Sequence, residues 1–450
     1  MKSPFFDARL LRRLWEISWP TIVYAILETT VGLADIYFSG FLGSDAVAAV
    51  GFSRQIFLVL MIGTLAITTG TITLVAQYFG AGRCDMASAA ATQSLRLAVI
   101  SGLILGVIGA ALASPSLLLL GAEGDVLIQG SAYLRILMGG VVFLMINYSV
   151  NAVFRALGDT KTPLKITSVI NVLNIGLDYV FVFGLSFIPA LGVKGIALGT
   201  IMARALGAAW ALAILSLPSR EVRLIWDLPA QKDLITRLLS IGLPSGFSGF
   251  FRNGARIVFF AILASTSAGT AAVAVASIGF QVRMLAIMPA LAIQAAVSAL
   301  VGQSIGANNL EEAEGYGWTS IKFCVLIFGF LSLLLFLFPA RIVRLFTDVP
   351  EVISLANAAM RFIALEQFCN CVSIVASGAL SGAGDTKPPM RYTIFSQWFL
   401  MLPLALWFSY QPSMNIWGVW LAWGMAPAVQ LLLTVLRFTS GEWKSIKAAI

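Results

Sequence analysis

The sequence predicts an all-α polytopic membrane protein with twelve transmembrane helices in two pseudo-symmetric six-helix bundles. Three observations carry that prediction. First, the 450 residues are 59% hydrophobic and only 11% charged, with a mean hydropathy of +0.91, whereas a soluble globular chain carries roughly 25% charged residues. Second, apolar runs of about 20 residues, the length a helix needs to cross a bilayer, recur along the whole chain. Third, two segments of the first half return in the second at one spacing. Leu74-Val-Ala-Gln-Tyr-Phe-Gly-Ala81 resembles Leu300-Val-Gly-Gln-Ser-Ile-Gly-Ala307, and Gly158-Asp-Thr-Lys-Thr-Pro163 resembles Gly384-Asp-Thr-Lys-Pro-Pro389, both at an offset of 226 residues. Pro20 and Pro244 match at nearly the same offset. A duplicated unit with an even number of spans enters from the same side in both copies. The halves are then related by a pseudo-two-fold axis along the membrane normal, an arrangement suited to alternating access.

Taken in order, residues 1–14 read as a short amphipathic cytoplasmic segment bearing Lys2, Arg9, Arg12 and Arg13. The following apolar run is long, broken by Glu28 and Asp35, and followed by no small-residue cleavage site, so it is not a removable signal. Spans are expected at 15–40, 47–78, 90–113, 125–151, 165–186 and 194–217, making an N-lobe over 15–217. A polar, basic cytoplasmic linker occupies 218–237. Spans at 238–264, 271–302, 319–339, 352–380, 392–410 and 416–437 make a C-lobe over 238–437, followed by a cytoplasmic tail, 438–450. The breaks carry turn formers: Gly80-Ala-Gly82, Ser114-Pro115, Gly158-Asp159, Pro218-Ser219, Gly384-Asp385 and Gln411-Pro412.

Charge tests this layout. With the N-terminus inside, eighteen basic boundary residues, from Lys2, Arg9, Arg12 and Arg13 through Arg155 and Lys161 to Lys444 and Lys447, fall on the inner side. Only Lys194, Arg341 and Arg344 fall outside. That is the positive-inside bias of a multi-pass plasma-membrane protein, here of a bacterial inner membrane, with both termini cytoplasmic. It also accounts for the net charge of +8 without nucleic acid as a partner. The partners expected instead are the lipid bilayer and small amphipathic molecules, with the protein a monomer.

The chain has no histidine, which removes His-based zinc sites, Ser-His-Asp triads and imidazole proton relays. Cys84, Cys324, Cys369 and Cys371 form neither a disulfide framework nor a metal motif by spacing. No cofactor and no firm metal site is expected, and with no nucleophile elbow an enzyme is disfavoured. Proton chemistry falls to carboxylates.

Within the spans, Asn171, Asn174 and Asp178 lie at i, i+3 and i+7, on one face of an otherwise apolar helix. Glu28 and Asp35 share a face of the first span, in which Pro20 supplies a bending point. A carboxyl in hydrocarbon costs roughly 2.5–3.5 kcal/mol on insertion scales, so it needs a polar cavity, a proton or a partner. Asn147 and Asn151 on span four, with Thr200 and Arg204 on span six, complete a polar set in the N-lobe, although the amides and the threonine also suit ordinary interhelical hydrogen bonds. An ion pair from Glu28 to an intramembrane arginine remains open.

The C-lobe differs. By the 226 offset Asn174 and Asp178 correspond to Leu400 and Leu404, and Glu28 falls near Arg252. The scaffold is duplicated and the acid chemistry is not. Arg252 and Arg256 share a face of span seven, while Glu366, Asn370, Ser373 and Ser377 share a face of span ten. Two readings stand: a Glu366–Arg256 pair linking helices, or the lining of a substrate cavity.

Trp19-Pro20, Leu33-Ala-Asp35, Gly40-Phe-Leu-Gly43, Ala48-Ala-Val-Gly51, Gln77 with Gly80-Ala81, Arg155-Ala-Leu-Gly-Asp-Thr-Lys-Thr-Pro163 and Asn174-Ile-Gly-Leu-Asp178-Tyr179, with second-half copies at Gln303–Gly306 and Gly382–Pro388, resemble the multidrug and toxic compound extrusion (MATE) family. The acid pair Asp35 and Asp178, with no acid at the family's alternative position in span seven, is similar to the DinF-like branch. The resemblance implies a secondary antiporter exporting cationic or amphipathic compounds in exchange for H+ or Na+. It implies a coupling cluster at Asp35, Asn174, Asp178 and Thr200, and also matches Asn151 and Pro20. Glu28, Asn147, Arg204, Arg252, Arg256, Glu366 and Asn370 are then candidates for the substrate cavity and its gating. The oxygens of Asp178, Asn174 and Thr200 suit Na+ as well as a proton. The alternative within transport is a lipid-linked oligosaccharide flippase of the same superfamily, for which Arg252, Arg256 and Arg283 speak. An ion channel is a further option, distinguished by single-channel conductance.

Overall fold

The structure, a computed structural model, describes residues 7–185, 188–266, 269–347, 349–411 and 415–446. Lys2, Lys447, Pro412 and the outer parts of the expected 1–14 and 438–450 segments lie outside the described residues. The regular elements among the described residues are helices: α1 (Ala8–Gly40), α2 (Ser44–Leu60), α3 (Thr64–Gly80), α4 (Cys84–Ala111), α5 (Ala113–Leu119), α6 (Gly124–Gly139), α7 (Val141–Ala156), α8 (Lys161–Phe183) and α9 (Val193–Leu215) make the first half. The second half comprises α10 (Lys232–Ala264), α11 (Gly269–Gly306), α12 (Leu310–Leu337), α13 (Pro339–Val343), α14 (Pro350–Gly382), α15 (Lys387–Ile394), α16 (Leu402–Ser409) and α17 (Asn415–Thr439). No strand occurs among the described residues.

Nine of these helices are individually long and apolar enough to cross a membrane, and α2 with α3 and α6 with α7 make two more as pairs bent by 43° and 46°. The remaining expected span, 392–410, is the run Lys387–Ser409. There a π-turn at Phe395–Met401 divides the helix into pieces too short to count singly. The α6–α7 bend falls at Gly139-Gly140, where a Cβ on Gly140 would meet the Ile201 side chain of α9 at 2.5 Å. The third span ends at Ala111, close to the expected break at Ser114-Pro115. Pro115 itself sits in the first turn of the short α5, where its missing N–H is no loss, and the chain turns again at Gly121 with φ +83°.

The repeat recurs as backbone geometry. Gly82 ends α3 in the left-handed region at φ +70°, and Asn308, 226 residues later, is the described non-glycine residue with positive φ, at +57°. Asn is among the few L-residues that enter this region readily. Gly158 and Gly384 end α7 and α14 at φ +81° and +86°. In each copy the next residue's amide closes a 6→1 bond, Asp159 N to Phe154 O at 2.9 Å and Asp385 N to Leu380 O at 2.8 Å. Each aspartate then accepts from an arginine at the end of its half, Arg220 just past α9 at 3.0 Å and Arg437 in the last turn of α17 at 2.8 Å.

The chain divides into two compact units, Trp19–Leu243 and, together with the residues up to Ser18, Pro244 onward. The divisions fall beside Pro20 and at Pro244, inside α1 and α10. In the first unit α9 packs on α8 through glycines. An added Cβ would lie 2.4 Å from the Phe181 carbonyl at Gly195, 2.9 Å from the Asp178 amide nitrogen at Gly199, and against the Ile170 side chain at Gly207. Small residues let membrane helices approach this closely. The stretch after α9 is tied down on α4: Gln93 donates to Pro229 O at 2.8 Å, while Arg223 N and Ile225 N donate to Ser88 Oγ and Thr92 Oγ1 at 3.1 and 3.0 Å. In the second unit, α14 is central. Its apolar window is 89% buried, against 28–56% for the other single spans, so its polar side chains face protein rather than lipid. Phe259, Trp420 and Trp423 form an aromatic core beside it.

Candidate functional site

In the first unit, α1, α6, α8 and α9 bring their polar groups to one place. Asp35 is 6% exposed, Asn174 1% and Asp178 not at all. Tyr133 of α6 donates its hydroxyl to Asp35 Oδ2 at 2.8 Å, and Thr200 Oγ1 of α9 donates to Asp35 Oδ1 at 3.3 Å. Asn174 Nδ2 donates to Thr200 Oγ1 at 3.3 Å and to Asp178 Oδ1 at 3.2 Å. The four residues expected as a coupling cluster are thus one hydrogen-bonded chain, Asp35–Thr200–Asn174–Asp178. Gly199 makes room for it, since a Cβ there would stand 2.2 Å from Asp178 Oδ1. Asp178 Oδ2 and Asn174 Oδ1 are buried acceptors without a hydrogen-bond donor. They are oxygens available to a proton on the carboxyl or to a bound cation. Among the described residues no group of three His, Cys, Asp or Glu could hold a metal ion.

The neighbouring polar residues are engaged elsewhere. Arg204 forks onto Glu28, Nη1 to Oε1 at 2.7 Å and Nη2 to Oε2 at 2.9 Å, with side chains 12% and 15% exposed. Asn147 Nδ2 donates to the Phe143 and Arg204 carbonyls at 2.8 and 2.9 Å. Asn151 Nδ2 donates to Tyr24 at 3.2 Å, off the aspartate chain. Asn171, on the same face as Asn174, holds α8 to α1 through Leu27 O at 2.6 Å and Thr30 Oγ1 at 3.1 Å. Pro20 lies within α1 on the cytoplasm-ward side expected from the sequence, fifteen residues before Asp35. A cavity of about 140 Å3 is lined by Glu28, Asp35, Thr200 and Arg204, and also by Tyr133 and Arg54.

Tyr133 and Arg54 were not among the residues singled out by sequence. The signal for Arg54 lies in its partner: Gly32 must lack a side chain because the Arg54 guanidinium occupies that space. Among the described residues Arg54 forms no ion pair, and its Nη1 has no hydrogen-bond partner.

In the second unit the expected Glu366–Arg256 pair is not formed. Glu366 Oε1 accepts instead from Arg283 Nη1 of α11 at 2.5 Å and from Asn370 Nδ2 at 3.1 Å. Arg256 stacks over Phe280, 4.3 Å from its ring centroid. Arg252 and Arg256 line a cavity of about 160 Å3 with Arg283, Glu366 and Asn370. The four cysteines are free thiols.

A family model described as MatE matches residues 20–180 and 244–407. The chain is 31% identical to the "Probable multidrug resistance protein NorM" of Thermotoga maritima, covering 96% of this chain and 93% of that protein. It is 26% identical to the "Multidrug resistance protein NorM" of Aliivibrio fischeri, covering 91% and 90%. A structure titled "Crystal structure of MATE in the bent conformation" matches with a TM-score of 0.88 at 23% identity, over 97% of this chain and 98% of that one. A MOP superfamily transporter from Pyrococcus furiosus matches with a TM-score of 0.86 at 22% identity, over 97% and 98%. The likeness to these structures is one of fold: twelve helices in two bundles.

Proposed function

The chain belongs to the MatE family of multi-pass membrane transporters, and from that premise we propose that it is a secondary antiporter. It exports amphipathic or cationic drugs and toxic metabolites in exchange for H+ or Na+, as the names of its NorM relatives support for export. The observation that carries the coupling is the chain Tyr133–Asp35–Thr200–Asn174–Asp178, which joins two buried carboxylates through neutral groups only. Of the two arginines that line the cavity beside Asp35, Arg204 is already neutralised by Glu28 and Arg54 is unpaired among the described residues. Even with Arg54 as a counter-charge, two buried carboxylates leave one in need of a positive ion, because charge in hydrocarbon without a partner is costly.

Protons entering from outside load Asp35 and Asp178. Neutral carboxyls need no counter-charge, so α1 is free to bend at Pro20, where the ring removes a backbone donor, and the substrate is expelled. Proton release to the cytoplasm restores the charged, substrate-accepting state. Na+ would use the same oxygens, Asp178 Oδ2 and Asn174 Oδ1, with Thr200. The absence of an acid in span seven, 238–264, at the position where the family has its alternative one supports a DinF-like branch. The positive-inside bias supports an inner-membrane protein with both termini cytoplasmic.

Asp35→Asn and Asp178→Asn, reconstituted in liposomes with pH and Na+ gradients imposed separately, test the proposal. Each is expected to abolish gradient-driven efflux while expression is kept. Wild-type rates in either variant end it, and the gradient that drives the native protein identifies the ion.

A further inference from the structure

The cavity of the second unit has the opposite electrostatics from the aspartate chain. Three guanidiniums, Arg252, Arg256 and Arg283, line it against one carboxylate, Glu366, so the lining carries 3 − 1 = 2 excess positive charges. Glu366 is 2% exposed and bonds to Arg283, itself 9% exposed. Arg252 and Arg256 have no ion pair or hydrogen bond among the described residues. The Arg256 guanidinium rests on the Phe280 ring, and Arg283 faces both Phe280 and Trp423, 5.1 and 5.7 Å from their centroids. Arg283 Nε is a buried donor without an acceptor.

Two uncompensated arginines inside an apolar bundle are as costly as two stray carboxylates. A planar guanidinium recognises carboxylate and phosphate by paired N–H bonds. Met284, Met288, Met401 and Trp423 give the wall a soft apolar part, beside the amides of Asn253, Asn370 and Gln397. At about 160 Å3 the cavity is smaller than the roughly 300–1,000 Å3 that encloses a drug-sized ligand. It suits the head of an amphipath, not a whole large molecule.

We propose that this cavity is an organic-anion subsite: Arg252 and Arg256 hold a carboxylate or phosphate, and Phe280 and Trp423 receive the adjoining apolar body. It extends the substrate range from cations to amphipathic anions and zwitterions. It makes no use of the proton-coupling residues, which lie in the other unit. The anion has two sources, a dissolved amphipath or an anionic lipid.

The test is equilibrium binding to the full-length protein in phosphatidylcholine nanodiscs, with empty nanodiscs as blank. The probes are 2-naphthoate and its cationic counterpart 2-naphthylmethylammonium. Naphthoate should bind saturably and at least tenfold more tightly than the ammonium. Arg252→Gln and Arg256→Gln break no ion pair, should fold normally, and should each weaken naphthoate about tenfold, equivalent to about 1.4 kcal/mol. Glu366→Gln, by freeing Arg283, should tighten it. With phosphatidylglycerol added to the nanodiscs, displacement of naphthoate identifies the lipid as the anion source, and undiminished binding identifies the dissolved amphipath. Equal affinity for the two probes, or naphthoate binding unchanged in both arginine variants, overturns the proposal. Neither result bears on the Asp35 and Asp178 variants, whose readout is transport.

Discussion

The Glu28–Arg204 fork offers the sharpest energetic test of the first unit. Its two N–H···O distances are 2.7 and 2.9 Å, and both side chains are more than four-fifths buried. Two unit charges about 4 Å apart at an effective dielectric of about 20 attract by about 4 kcal/mol. Removing one partner of a buried pair costs about 3–5 kcal/mol, because the other charge is stranded. Glu28→Gln and Arg204→Gln are therefore each expected to lower the unfolding free energy by that amount. The Asn147 bond to the Arg204 carbonyl survives either change, since it uses backbone. The double variant leaves two neutral amides and strands no charge, so it should recover most of the loss, giving a coupling energy of at least about 2 kcal/mol. Unfolding by a denaturing detergent in lipid bicelles measures all three. Gradient-driven efflux should persist in the double variant, because the pair braces α1 against α9 while the aspartates handle the ion. A coupling below about 0.5 kcal/mol, as for an exposed pair, would refute the reasoning.

Two further outcomes follow from close approaches and backbone geometry. Gly199→Ala places a Cβ 2.9 Å from the Asp178 amide nitrogen. It should push α9 off α8 at a cost of about 1–3 kcal/mol and impair coupled transport in liposomes, so a fully active, equally stable variant contradicts the packing argument. Gly82→Ala, at φ +70°, should cost about 1–2 kcal/mol, whereas Asn308→Gly at the matching turn should be neutral or stabilising. Thermal unfolding of the pair checks the repeat's geometry directly.

Several features were legible in the residues alone because local chemistry dictates them. Apolar runs of spanning length have one favourable placement, and the 226-residue repeat returns as matching turns at Gly82 and Asn308 and at Gly158 and Gly384. Asn174 and Asp178 lie one helical turn apart, so their mutual bond follows from helix geometry. Lipid-facing and protein-facing sides are harder to read, because in a bilayer both are apolar. The π-turn at Phe395–Met401 and the bend at Gly139-Gly140 left no periodic mark.

By itself, then, the chain determined how many times it crosses, that it is doubled, and that its unpaired acids lie in one half, since each rests on spacing and on the cost of charge in oil. Which groups meet was decided only by packing. Helical phase puts Arg256 and Glu366 on definable faces, yet it was Arg283, from a third helix, that reached the carboxylate. Tyr133, from a helix with no other polar group in the chain of bonds, closed on Asp35. Partners separated by 83 and 98 residues are joined by the crossing of helices, and no local pattern encodes where those crossings fall.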